Sequence, residues 1–387
     1  MRVWHCLFLI NLLDRFWKEH LRTIMYRSVV VWLGFMLPAL TEQKCPCTSE
    51  ALCKPVTKQY TKELVVFGGV TWKQWNWTEI TNVITLAPSD YDLYCYAHSR
   101  SVRVTRLVSV PVNDFLKLAD PMYRKNVTKR WINMMVEHFF DGINIDIEGA
   151  AYTEDIRNYI TALTNETYIA IKALNPYFIV TWDIPYSPIL VGCISGYCYD
   201  YISLAKCTDY MIVMDYDATL DILVANANSP INLLIESYNL YLKNLSINPN
   251  HLVMAVPWYG YDYACTKFYN DSGQEMCVIL GGSHQAKSYG DIDKLIVQSG
   301  GIVRWDSKAA SPYLTLMENT QYHQVWFDNV ESLKIKYKLA LSLHLRGIGM
   351  FTGDDLDYHS LTPSAVNQTT LMWDTLTEYV DQLKTAA

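Results

Sequence analysis

A chain of 387 residues is long enough for one large α/β domain with insertions. It carries 32 basic and 39 acidic residues, a net charge of −7, and no basic block, which argues against a nucleic-acid partner or a polyanionic substrate. Twelve tryptophans and 28 tyrosines suit stacking on the apolar C–H faces of sugars, although many such rings are ordinary core.

The N-terminus reads in two pieces. Residues 1–24 mix apolar positions with Asp14, Arg15, Lys18 and Glu19, which no clean signal peptide does. Met25-Tyr26-Arg27, followed by the apolar run Ser28 to Leu40, has the form of a secretory signal. Residues 1–24 are then an upstream extension or a wrongly assigned start, and 25–41 a signal peptide. The run is too short to span a bilayer comfortably, so a signal anchor ranks lower. Ten cysteines support a secretory route, as do the sequon asparagines Asn76, Asn126, Asn165, Asn244, Asn270 and Asn367. Cys45, Cys47 and Cys53 form an expected disulfide staple over residues 42–60. Cys198 with Cys207, and Cys265 with Cys277, are expected short-loop pairs. Zinc at Cys45-Pro46-Cys47 is disfavoured because no histidine-rich partner lies near it.

Leu64 to Phe67 is the first predicted strand, ending at Gly68-Gly69, where a turn needs conformational freedom. Asn82 to Leu86 and Val102 to Val110 are the second and third, and Asp120 to His138 has helical spacing. The fourth, Phe140 to Glu148, is the most informative. Alternation puts Ile143, Ile145 and Ile147 on one face, and Asn144, Asp146 and Glu148 on the other. Phe178 to Asp183, Tyr210 to Asp217, Leu252 to Trp258 and Arg346 to Phe351 are the remaining four. Strands alternating with helical stretches over about 300 residues indicate a (β/α)₈ TIM barrel, assigned to 61–387 as one catalytic domain.

In such barrels reacting groups sit at the C-terminal strand ends. Glu148 should stand at the mouth, with Asp146 about 6–7 Å deeper at the usual rise per residue. A buried Asp beside a Glu disfavours double ionisation, which is how a carboxyl group becomes a general acid near neutral pH.

The fourth strand resembles the Asp-Gly-x-Asp-x-Asp-x-Glu signature of the family 18 glycoside hydrolases, the chitinases and chitobiases. Asp141, Gly142, Asp146 and Glu148 match it, whereas Asn144 stands where the chitinases carry an acid. Met214-x-Tyr216-Asp217 resembles the family's Met-x-Tyr-Asp element, and Ala255 to Gly260 its Gly-Val-Pro-x-Tyr-Gly element, followed by Tyr261 where many chitinases have arginine. Residues 262–322 resemble the family's small α+β insertion between strands seven and eight, and His323 to Asn329 its strand before the last helix. Cys95 to His98, Pro257 to Tyr263, His323 to Trp326 and Arg346 to Met350 are similar to the chitobiase branch, as are Asn144 and the Cys45/Cys47/Cys53 group. The likeness covers about residues 45 to 380. Phe351 departs from it, standing where the family has a tryptophan under the scissile sugar, and stacking should weaken by about 1 kcal/mol.

The resemblance implies hydrolysis of GlcNAc-β1,4-GlcNAc with retention, through attack by the substrate's own acetamido oxygen. It casts Glu148 as acid and base, Asp146 as the group that orients the acetamido N–H, and Tyr216 as the group that holds its carbonyl. Asn144 would support Asp146 as a neutral partner, and removing one like charge there should let Asp146 ionise more readily. Met214, Asp217, Trp258, Tyr259 and Phe351 would bind substrate. The expected partner is an N-acetylglucosamine oligosaccharide, from glycan cores or short chitin, met by a monomer. No cofactor, metal, nucleic acid or (in the mature form) membrane is expected. The expected compartment is the lysosome, reached by the secretory pathway. A secreted endo-chitinase and a non-catalytic chitinase-like lectin are the alternatives. The lectin is disfavoured because such proteins usually lose the terminal Glu.

Overall fold

The computed structural model describes residues 44–86, 90–149, 151–188, 198–219, 223–271, 274–280 and 284–385. The extension and signal peptide expected over 1–41 lie outside the described residues. The chain divides into Met1–Cys45 and Pro46–Ala387, and all the elements below lie in the second unit.

Eight parallel strands close a barrel: β1 Glu63–Gly68, β2 Asn82–Thr85, β3 Arg103–Val108, β4 Gly142–Ile145, β5 Ile179–Pro185, β6 Tyr210–Met214, β7 Leu252–Pro257 and, last in the chain, β15 Gly347–Phe351. The order around the barrel is β1-β15-β7-β6-β5-β4-β3-β2. Strand alternation sorts the side chains. Val65, Phe67, Ile84, Ile212, Val253 and Ala255 fill the interior as one cluster. Val66, Ile143, Ile145, Trp182, Met254 and Val256 point outward, into the larger core shared with the helices. The floor is polar: Glu63, fully buried, accepts from Arg103 at 2.5 Å and from Arg346 at 3.2 Å.

The surrounding helices include α1 Tyr91–Ser99, α2 Pro121–Glu137 and α3 Glu154–Leu174. α4 Tyr201–Leu204 and α5 Ile231–Asn239 follow, then α6 Tyr289–Ser299, α7 Val330–Ser342 and α8 Pro363–Thr385. Their starts are written locally. Asp120 caps α2 by accepting from Met122 N, with Pro121 in the first turn. Asn329 caps α7 in a reciprocal box with Ser332.

Between β7 and β15 lies an antiparallel sheet ordered β11-β8-β14-β13-β12, with a two-stranded ribbon β10-β9. Its strands are β8 Tyr259–Ala264, β11 His284–Ser288, β12 Val303–Asp306, β13 Ser311–Glu318 and β14 Gln321–Trp326. The ribbon is β9 Lys267–Asp271 and β10 Gln274–Val278. The sheet therefore begins at Tyr259 and ends at Trp326, beyond the expected 262–322.

The cysteines correct two expectations. Cys47 is bonded to Cys95, 48 residues away, so the N-terminal segment is tied to α1 rather than stapled on itself through this residue. Cys198 is disulfide-bonded, but not to Cys207, which is a free thiol buried after α4. Cys265–Cys277 is formed as expected. Cys45 and Cys53 are also disulfide-bonded, which leaves no thiolate among the N-terminal three for zinc.

Candidate active site

Glycine at the start of β4 is a packing requirement. A Cβ at Gly142 would sit 1.9 Å from the carbonyl oxygen of Ile179 on β5. From there the strand runs as its alternation dictates. Ile143, Ile145 and Ile147 are buried in the outer core, while Asn144 turns to the inner face. The regular ladder stops at Ile145, three residues short of the expected end. The extended path continues because Asp146 N donates to Val108 O at 2.8 Å and the Tyr199 hydroxyl donates to Ile147 O at 2.6 Å. Glu148 is exposed, and Asp146 below it is half-buried.

Asn144 is fully enclosed. Its Nδ2 donates to Asp183 Oδ2 at 2.5 Å, and its Oδ1 accepts from Thr181 Oγ1 at 2.5 Å. Thr181 and Asp183 stand on the inner face of β5, and the register pairs Asn144 with Thr181 and Ile145 with Trp182. The next step along that register sets Asp146 alongside Asp183. Asp183 is 3% exposed. One carboxylate oxygen on each of the two aspartates, Oδ1, is buried without a hydrogen-bond partner.

Burial and charge act together here. Desolvation first, and the Glu148 charge second, push the Asp146 carboxyl up to about 7. Burial drives Asp183 well above the carboxylate range, Asp146 and Glu148 add to this, and the Asn144 hydrogen bond opposes it. Asn144 brings no charge of its own beside Asp146, but it donates to an acid that does stand there, Asp183. The carboxylate absent from position 144 is present one strand over. Asp183, the last residue of the predicted fifth strand, was not singled out from sequence. Its signal was there: it shares a face with Thr181 and stands near the strand's C-terminal end.

Tyr216 faces the same group from beyond β6. Its hydroxyl is raised by burial and then by Asp183, Asp146, Asp217 and Glu148 in that order. Its ring lies 5.4 Å from that of Phe351 and 6.1 Å from that of Tyr259. Met214 is half-buried at the end of β6. β6 ends there, sooner than expected, and Asp217 follows with φ at 55°, which turns the chain. Its Oδ1 accepts from the hydroxyls of Tyr259 at 2.5 Å and Tyr261 at 2.8 Å.

Trp258 does not belong with these residues. It is fully buried in the outer core, 4.9 Å from Trp373 of α8 in an edge-on contact. Val256 already points outward, so alternation sends Trp258 outward too, away from Tyr216 and Phe351 in the interior. The expectation that it binds substrate is withdrawn.

The model of the glycosyl hydrolases family 18 matches residues 100–355. Di-N-acetylchitobiase of Homo sapiens is 36% identical over 349 residues, covering 86% of this chain and 88% of that protein. The Mus musculus di-N-acetylchitobiase is 33% identical over 359 residues, covering 88% and 95%. Among solved structures, the Ostrinia furnacalis Group IV chitinase in complex with allosamidin superposes with a TM-score of 0.69 at 20% identity, over 83% of this chain and 99% of that one, which shows the shared fold. A closed parallel barrel, an acidic run at the end of its fourth strand and these matches together place the chain: it belongs to the glycosyl hydrolases of family 18 and is a glycoside hydrolase.

Proposed function

We propose that the protein splits the β1,4 bond between two N-acetylglucosamine units, in the chitobiose core of Asn-linked glycans and in short chitin oligomers. One observation carries this reading. Asp146, with a buried oxygen that lacks a donor, sits below the exposed Glu148 and within the electrostatic reach of Tyr216 at one end of the barrel. Its carboxylate would accept from an acetamido N–H.

In this mechanism Glu148 gives its proton to the glycosidic oxygen as the C1–O bond breaks. The acetamido oxygen forms the new bond to C1, and the positive charge spreads over an oxazolinium ring. Asp146 accepts from the acetamido N–H and offsets that charge. The Tyr216 hydroxyl, kept protonated by burial, donates to the acetamido oxygen and holds it for attack. Water then attacks C1 from the face the leaving group left as the bond between C1 and the acetamido oxygen breaks, Glu148 takes the water's proton, and the configuration is retained. Met214, Asp217, Tyr259 and Phe351 line the sugar site in this reading, with no cofactor or metal.

The setting we propose is the lysosome, reached by the secretory pathway. It fits the exposure of five sequon asparagines: Asn126, Asn165, Asn244, Asn270 and Asn367. Among the described residues no helix is long and apolar enough to cross a membrane.

Mass spectrometry of products from chitobiose, chitotetraose and insoluble chitin, with Glu148→Gln alongside, tests the proposal. GlcNAc released from the short oligomers, chitin untouched and an inactive variant support it. Chitobiose released from the polymer makes the protein an endo-chitinase. Binding without products would mean a lectin.

A further inference from the structure

The family pattern asks for an acid at position 144, and this chain supplies a neutral amide there. We propose that Asp183 is a positioning residue of the reaction, delivering from β5 the second carboxyl group that the pattern places on β4, so that Asp146 and Asp183 hold one proton between them. The proposal rests on the reading of the site given above and deepens it.

Geometry assigns the protonation. Asn144 cannot lose a proton, and its Nδ2 donates to Asp183 Oδ2 at 2.5 Å, so that oxygen acts as acceptor. With the amide in this orientation its Oδ1 accepts from Thr181 Oγ1 at 2.5 Å. Any proton on Asp183 is therefore carried by Oδ1. That atom and Asp146 Oδ1 are both buried without a partner, and two carboxylate oxygens bond to each other only through a proton. The groups facing Asp183 are Asp146 and Glu148 beyond β4 and Tyr216 beyond β6, three acids. Burial and these like charges disfavour the ionised form of Asp183.

When the acetamido N–H reaches Asp146, the shared proton moves from Asp146 to Asp183 Oδ1. No proton enters or leaves the site. Asp146 is left as an anion against the developing oxazolinium, and Asp183 is neutral.

The test uses Asp183→Asn, and Asp183→Asn combined with Asn144→Asp, which returns the acid to β4. On chitobiose, Asp183→Asn should lower kcat by about 10²-fold, with KM changed less than threefold. The acid limb of its pH–rate profile should move to higher pH, because Asp146 has lost the neutral carboxyl group whose proton holds it ionised. The double variant should recover at least tenfold in kcat and return the limb toward its original position. A merely structural Asp183 would leave the limb in place, and its double variant would be no better than the single. A second readout needs no turnover. Tm of the full chain should fall as pH rises from about 4 to 8, and Asp183→Asn should flatten part of that fall, the share of Asp146 remaining. An unshifted pH–rate limb, or a Tm curve unchanged by the substitution, overturns the proposal. If the natural chain releases no GlcNAc while the Tm difference is seen, the shared proton stands and the proposed reaction falls.

Discussion

The Tyr259 hydroxyl donates to Oδ1 of Asp217 at 2.5 Å, and the Tyr261 hydroxyl reaches the same oxygen at 2.8 Å. Strand β8 of the inserted sheet is thus tied to the turn that ends β6. That turn is further held by Asp217 N, which donates to Asn228 Oδ1 at 2.6 Å.

A sugar site on this clamp should weaken in steps. A hydrogen bond to a charged acceptor contributes about 1.5–3 kcal/mol, so Tyr259→Phe should raise KM for chitotetraose by about tenfold or more. Tyr261→Phe leaves the shorter bond in place and should raise KM by less. Steady-state kinetics on the two variants checks the order.

Phe351 and Trp258 should behave oppositely. Phe351 is packed between Phe67 at 5.6 Å and Tyr216 at 5.4 Å, in the barrel interior. Phe351→Trp restores the larger ring and should lower KM by about fivefold, corresponding to about 1 kcal/mol of added stacking. Trp258→Phe leaves a gap beside Trp373 and should destabilise the fold by about 1–3 kcal/mol with KM unchanged. Denaturant titration and kinetics on both variants separate the two roles.

The Asp146 carboxyl makes stability depend on pH with a definite sign. Its folded value, about 7, lies above the unfolded value of 3.8, so between those limits the folded chain holds a proton that the unfolded chain releases. Folding stability therefore falls as pH rises through that window, by on the order of a few kcal/mol at most. Asp146→Asn removes this residue's share of the effect: it should raise Tm at pH 7–8, leave it unchanged near pH 3, and abolish activity at both. Calorimetry across the range shows it.

Lys336 of α7 is fully buried and paired with Asp328, itself 2% exposed. Lys336→Met strands that carboxylate and should cost about 3–5 kcal/mol. Adding Asp328→Leu should recover much of the loss, since two well-packed apolar residues can replace a buried pair. Chemical denaturation of the single and double variants measures the difference.

Much of this protein was legible in its residue order. Strand period two is a local property, so it separated Ile143, Ile145 and Ile147 from Asn144, Asp146 and Glu148, and the eight barrel strands came out in sequence. Alternation also held the signal for Trp258, since Val256 before it points outward, but likeness to a motif drew it toward the site. Where strands end was less legible. Asp217 leaves β6 through a left-handed backbone conformation that its residue type permits without demanding.

The identity of the carboxyl group beside Asp146 was decided by tertiary structure alone. Asn144 meets Asp183 because parallel pairing sets Ile145 opposite Trp182, and nothing along the chain specifies that register. The same holds for Cys47, which finds Cys95 rather than a nearer cysteine. Spacing and alternation determine which way a side chain faces. Barrel closure decides what it faces, because it brings together residues distant in sequence at one depth, and that depth sets both their burial and their charge.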